Sequence, residues 1–360
     1  MRFVFCFLLL AVSAQAGWVT LFEDDFSGLT SDWVYSGITN GGGQPLFYHD
    51  STQGVVRAEW DQSNAFSWTS DPYIILPSSF SHPLPRMLTD HDTFRLRAVL
   101  NVATGTVADT TELFQIASIG FFGMAAMGPD RAQSDNFSGN SNMLKDGSDF
   151  VEFSYFINNA WGGPNITATT GAHIDGTAGD YTTGTNWTQT AMGEGFWLPE
   201  GTNLYVELVY CGAATNETRR KAFCTIYHNP DFSGILSVNG VAMHYDTTPL
   251  PDDKFFRADS IAMQNWPSSN WGGENGFGRG FHDDVRVEQY FSPGEFYAQQ
   301  KSGGYLQTTF AAESGTVYRI EYSTDLRTGW DLAGSVTSAA EFVTFTNSMP
   351  AAVRFYRVTK

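Results

Sequence analysis

Between Phe94 and Val102 the chain alternates, with Phe94, Leu96, Ala98, Leu100 and Val102 on one side and Arg95, Arg97 and Val99 on the other. A period of two predicts a half-buried β-strand. Val151 to Ile157 reads the same way, placing Val151, Phe153, Tyr155 and Ile157 on one face. So do Leu204–Tyr210, Ala222–His228, Ile235–Val238 and Asp284–Tyr290, while Leu113–Met127 predicts a buried strand and its turn. Sustained helical periodicity with caps does not occur in the pattern. From residue 17 to about 293, strand signals separated by turn clusters predict two stacked antiparallel sheets, a jelly roll or similar sandwich.

Two long polar stretches interrupt this text and are expected to be loops. One runs from Asn158 to Gly195 and carries Trp161 and Trp187. The other, Gln264 to His282, carries Trp266, Trp271, Asn270 and Asn275. Loops of that length are uncommon and often functional. Ser292-Pro293-Gly294 marks a boundary, and Tyr305–Thr309, Val317–Ser323, Phe342–Thr346 and Val353–Thr359 predict a small β module over residues 294–360.

The N-terminus speaks to compartment. Met1-Arg2 is a short basic segment, Phe3 to Val12 is apolar, and Ser13-Ala14-Gln15-Ala16 ends in a small-residue pattern that a signal peptidase accepts. The apolar run is too short for a membrane-spanning helix. Residues 1–16 are therefore expected to be a cleaved signal peptide, leaving 17–293 as the main domain of a secreted or cell-surface protein.

Composition agrees with an all-β reading: 15% aromatic, only 16% charged, and 36 glycines in 360 residues. The formal net charge of −18 repels phosphates and anionic lipid, which argues against nucleic-acid or membrane-surface partners. No later stretch is long and apolar enough to be an integral membrane segment. With Cys6 inside the signal, Cys211 and Cys224 remain. In an oxidising compartment they are expected to pair across a hairpin, with Val209 opposite Ile226 and Glu207 opposite His228. The alternative is two free buried thiols.

Catalytic motifs are scarce. The sequence has no Gly-x-Ser-x-Gly elbow, no His-Glu-x-x-His and no phosphate loop, and its seven histidines are scattered. Asn136, Asn165, Asn186 and Asn216 begin formal glycosylation sequons, which chiefly predict exposed polar loops.

The opening Leu21-Phe22-Glu23-Asp24-Asp25-Phe26-Ser27-Gly28, followed by Trp33, resembles the first strand of concanavalin A-like, laminin G-like jelly rolls of secreted bacterial proteins. His282-Asp283-Asp284-Val285-Arg286-Val287-Glu288 resembles their last strand, which pairs beside the first, and Phe150 to Phe156 resembles their central strand. The tract Val317 to Leu326, with Trp330 and Arg354 to Val358, resembles a fibronectin-III-like module. The likeness implies an antiparallel jelly-roll sandwich followed by a small β-sandwich module that spaces or attaches the protein at the cell surface. It also implies a choice among lectins, glycan-binding modules, glycosidases and polysaccharide lyases, which fold alone does not make.

Chemistry narrows that choice. Laminarinase-type enzymes carry Glu-x-Asp-x-x-Glu, or one residue more, on one strand, because retaining hydrolysis needs two carboxylates ~5–5.5 Å apart. Here Glu152 matches the first position, but Ser154 stands for the Asp and Phe156 or Ile157 for the last acid. Glu152 is the only catalytic candidate. The resemblance would bring Asp24 and Asp25 on the first strand near Asp283 and Asp284 on the last, four hard donors suited to a structural calcium ion. Solvated edge acids are the alternative. Trp161, Trp187, Trp266 and Trp271, with Asn158, Asn270 and Asn275, are candidates for stacking on sugar faces and bonding hydroxyls. The expectation is a secreted, non-catalytic protein binding polysaccharide or glycoconjugate. The alternatives are a divergent glycoside hydrolase or lyase, and a self-assembling extracellular structural protein.

Overall fold

The computed structural model describes residues 17–28, 32–36, 47–61, 78–103, 115–123, 150–156, 163–169, 187–191, 197–212, 220–247, 249, 257–265, 277–291, 296–302, 305–323, 330–340, 342–348 and 355–360. Its elements are β-strands. In chain order they begin with β1 (Trp18–Asp24), β2 (Val34–Ser36), β3 (Phe47–Asp50), β4 (Val55–Asp61), β5 (Ser78–Thr89) and β6 (Thr93–Val102). Next come β7 (Gln115–Phe122), β8 (Phe150–Phe156), β9 (Gly163–Thr169), β10 (Trp187–Ala191), β11 (Asn203–Cys211) and β12 (Lys221–Tyr227). The short β13 (Ser237–Val238), β14 (Val241–Ala242) and β15 (His244–Asp246) precede the long β16 (Arg257–Asn265) and β17 (Phe277–Tyr290). The C-terminal set is β18 (Phe296–Ser302), β19 (Tyr305–Ala311), β20 (Val317–Ser323), β21 (Asp331–Thr337), β22 (Phe342–Ser348) and β23 (Phe355–Thr359).

The larger of two compact units spans Thr20–Gln289. Its first sheet, sheet A, runs β15-β12-β11-β6-β17-β4-β3, with β1 also paired to β17. The second, sheet B, runs β10-β9-β8-β7-β16-β5-β2. Antiparallel pairing throughout the registered strands and an apolar layer shared by both sheets make this a jelly-roll sandwich. Alternation built that layer. Leu96, Ala98 and Leu100 from β6, and Leu204, Val206 and Leu208 from β11, meet Phe121, Val151, Phe153 and Tyr155 from sheet B in one core. Trp33 seals one end, stacked on Phe80 with ring centroids 4.9 Å apart. Its indole Nε1–H donates to Asp24 Oδ2 at 2.9 Å.

The smaller unit, Tyr290–Lys360 with the N-terminal residues up to Val19, contains two three-stranded sheets, β18-β19-β22 and β21-β20-β23. Phe310, Tyr318, Ile320 and Val343 form its core, making a small β-sandwich.

Three expectations need correction. Cys211 and Cys224 are not joined in a disulfide. In the β11–β12 hairpin Cys211 stands opposite Lys221, and Cys224 stands opposite Leu208 in the core. The expected pairing joined an outward position to an inward one. That register would have turned one strand's apolar face to solvent. The stretch Asn158–Gly195 contains the β9–β10 hairpin, in which Trp187 faces Thr169 across the ladder. The stretch Gln264–His282 supplies the end of β16 and the first residues of β17, Phe277 to His282, paired to β4.

Candidate functional site

The sites expected from sequence are distributed unevenly. Trp161, Trp266, Trp271, Asn158, Asn270 and Asn275 lie outside the described residues. Trp187 belongs to the edge strand of sheet B. Glu152 lies on the side of sheet B away from the core, since its neighbours Val151 and Phe153 point inward. It is 4% exposed, and its ladder neighbours are Gly120 and Thr167, neither of which carries a carboxylate.

β17 does pair with β1, bringing the expected acids to one end of sheet A. Asp24, however, is committed to the fold: Oδ1 accepts the Phe26 N–H at 2.8 Å and Oδ2 accepts Trp33. Asp25 accepts the Ser27 N–H at 3.0 Å, and its bonds to Ser27 hold its pKa below the ordinary carboxylate value. Burial pushes Asp283 up to about 6, with further repulsion from Asp284 and Asp25. Burial, then Asp25, also raises Asp284. Among the described residues no group of three or more His, Cys, Asp and Glu side chains is arranged to hold a metal ion.

Beside these acids the outer face of sheet A opens into a hollow of about 710 Å³. β1 and the turn after it contribute Glu23, Asp24 and Asp25; β17 contributes Asp284, Val285 and Arg286. Arg97 and Val99 come from β6, Tyr205 from β11, and Pro230, Asp231 and Phe232 from the turn after β12. The volume lies within the ~300–1,000 Å³ range of small-molecule sites.

The turn is tied by its own polar groups. Phe232 N–H donates to the Asn229 carbonyl at 3.0 Å. The Ser233 N–H and hydroxyl both donate to Asp231 Oδ1, at 3.2 and 2.6 Å. This closure holds Phe232 at φ 56°, a left-handed conformation that a bulky side chain adopts at a cost of ~1–3 kcal/mol. Asp284, at φ 46°, is a second such residue in the lining, and Phe26, directly after Asp25, has φ 51°. Backbone strain therefore gathers around this hollow, as it does at binding sites.

The Phe232 ring is anchored on the sheet. Tyr205 and Tyr227 each meet it edge-on with centroids 5.9 Å away, and the Arg97 guanidinium lies 4.5 Å from its centre. Arg97 Nε donates to Glu207 at 2.6 Å, and the Tyr227 hydroxyl donates to the same carboxylate at 3.2 Å. Arg95 continues the lattice, reaching Glu288 at 2.7 Å and Glu207 at 3.5 Å. Arg286 binds Thr20 Oγ1 at 2.7 Å and lies 3.4 Å from Glu288. The result is a half-buried aromatic cluster held by paired charges, with Glu23, Asp25, Asp231 and Asp284 along the wall. Sequence reading missed Phe232, Tyr205 and Arg97 as a site. Its available signal was the turn cluster His228-Asn-Pro-Asp-Phe-Ser-Gly234, which carries an aromatic amid turn formers.

No family model and no curated protein matches the chain. Solved structures similar to it include a Lotus tetragonolobus seed lectin, at 11% identity and TM-score 0.41, over 76% of this chain and 100% of that one. Another is an endo-1,3-beta-glucanase from Streptomyces sioyaensis, at 14% identity and TM-score 0.39, over 77% and 98%. An alginate lyase is similar at 9% identity and TM-score 0.38, over 76% and 97%. With likenesses this distant, function has to be argued from the chain's own residues.

Proposed function

We propose that this chain is an exported, non-catalytic protein that binds polysaccharide or glycoconjugate in the hollow on the outer face of sheet A. The observation that carries the reading is Phe232, held at φ 56° by a hydrogen-bonded turn at the wall of a hollow that also holds Tyr205, Arg97 and several carboxylates. Sugars present an apolar C–H face to an aromatic ring and hydroxyls to charged and polar groups around it. Both kinds of contact converge here on a rigid sheet. A fixed aromatic loses little entropy on binding. The tryptophans Trp161, Trp187, Trp266 and Trp271 are further candidates for contacts with an extended glycan. The C-terminal sandwich would space or attach the protein at the cell surface.

Affinity electrophoresis of the full chain through gels containing different polysaccharides tests this. Retardation by at least one polysaccharide is expected, with Phe232→Ala abolishing it while the melting temperature stays near that of the parent. Migration unchanged in every gel, or a Phe232→Ala protein retarded like the parent, would overturn the reading. An enzymatic role would have to work from Glu152, whose registered neighbours bring no second acid. Release of reducing ends or unsaturated products, lost in Glu152→Gln, would establish it instead. A calcium ion at this edge would have to draw Asp25, Asp283 and Asp284 together, because both oxygens of Asp24 serve the fold and the described acids form no ready group of three.

A further inference from the structure

We infer that the hollow selects amine-bearing saccharides over neutral ones and disfavours uronates and sulfated glycans; this rests on the sugar-binding reading of the same hollow. Its charges are not balanced. Both guanidiniums are spoken for, Arg97 by Glu207 at 2.6 Å and Arg286 by Glu288 and Thr20. Glu23, Asp25 and Asp284 are exposed, and Asp231 is exposed on the turn that carries Phe232. The partners of Asp231 and Asp25 are neutral donors, the Ser233 hydroxyl and backbone amides, so they leave the carboxylate charges in place.

A ligand lying against Phe232 and Tyr205 therefore meets fixed negative charge at its edge. A carboxylate or sulfate there is repelled in a partly desolvated setting. A protonated amine gains the opposite sign of the same interaction, and the aromatic faces beside it favour a cation further. Selectivity arises from the wall, while the aromatic platform serves all sugars alike.

Calorimetric titration of the full chain, with a chelator present so that divalent cations do not occupy the acids, decides the matter. The probes are length-matched oligomers of glucosamine, N-acetylglucosamine and galacturonate. Glucosamine oligomers are expected to bind about tenfold more tightly than their N-acetylated counterparts, as a few exposed charge pairs would give. That advantage should shrink as salt rises from ~0.05 to ~0.5 M, and galacturonate should bind weakest. Joint replacement Asp231→Asn with Glu23→Gln should narrow the gap between the amine and N-acetyl forms. Equal or tighter binding of the N-acetyl or galacturonate oligomer overturns the charge inference and leaves sugar binding standing. Failure of every oligomer, whatever its charge, overturns the sugar-binding reading itself.

Discussion

On the outer side of sheet A, Arg95, Arg97, Glu207 and Glu288 join across three strands. On the corresponding side of sheet B, Phe122 stacks on Phe150 with centroids 6.0 Å apart, and Ser260, Ala262 and Glu152 lie beside them in register, all buried. The two faces solve different problems. The first keeps charge near solvent by pairing it, and leaves a hollow at one end where rings and acids remain reachable. The second is an apolar layer in which one carboxylate is enclosed. The hollow on the first face leaves Phe232 and the acids beside it open to a ligand, whereas Glu152 is 4% exposed.

The sharpest way to break this contrast is Phe150→Ala. If the outer side of sheet B is a packed layer, losing a fully buried phenyl ring should cost ~3–5 kcal/mol in urea unfolding. Polysaccharide retardation of the folded protein should survive, because the hollow belongs to the other sheet. A cost under ~1 kcal/mol would mean that the ring is not packed. On sheet A, Glu288→Gln should cost ~2–3 kcal/mol, since the carboxylate is 5% exposed and the change removes the charge that Arg95 meets at 2.7 Å. A change within ~0.5 kcal/mol would identify the lattice as ordinary solvated surface.

How much of this could be read in advance depended on the element. β11 alternates in burial along its length, β6 does so as far as Ala98 before Val99 and Asn101 are buried as well, and each contains the expected residues. β5 was not among the expected strands, and it carries Pro83 and Pro85, residues that a strand interior disfavours. Both stand beyond Ser79–Ser81, the part that pairs with β2, and Pro83 lies opposite Ser260 of β16 beside a register shift in that ladder. The β11–β12 hairpin was recognisable, but its register was not. The cysteines suggested one pairing, while the inward Leu208 and Ile226 required another parity. Of the site, the nearness of the first and last strands was legible, and with it the acids. Phe232 was not, because its importance comes from a positive φ and from cross-strand neighbours far away in sequence.

The smallest effect concerns the acids at the edge of the hollow, and its sign separates repulsion from metal binding. Asp283 has a folded pKa of about 6 against an ordinary 3.8. Its contribution to stability is therefore complete below pH ~4 and is lost as pH rises through ~6. With a chelator present, Asp283→Asn should flatten that part of the pH profile. At about pH 8 it should melt a few degrees above the parent, the gain being limited by solvent screening to within ~1 kcal/mol. Millimolar calcium should reverse the order if Asp25, Asp283 and Asp284 hold the ion, because the parent then gains a ligand that the variant lacks. Identical melting of the parent in chelator and in calcium would remove calcium from this edge. A variant less stable than the parent at high pH in chelator would show that the Asp283 carboxylate is favourably paired, and that the negative surplus assigned to the hollow is compensated there.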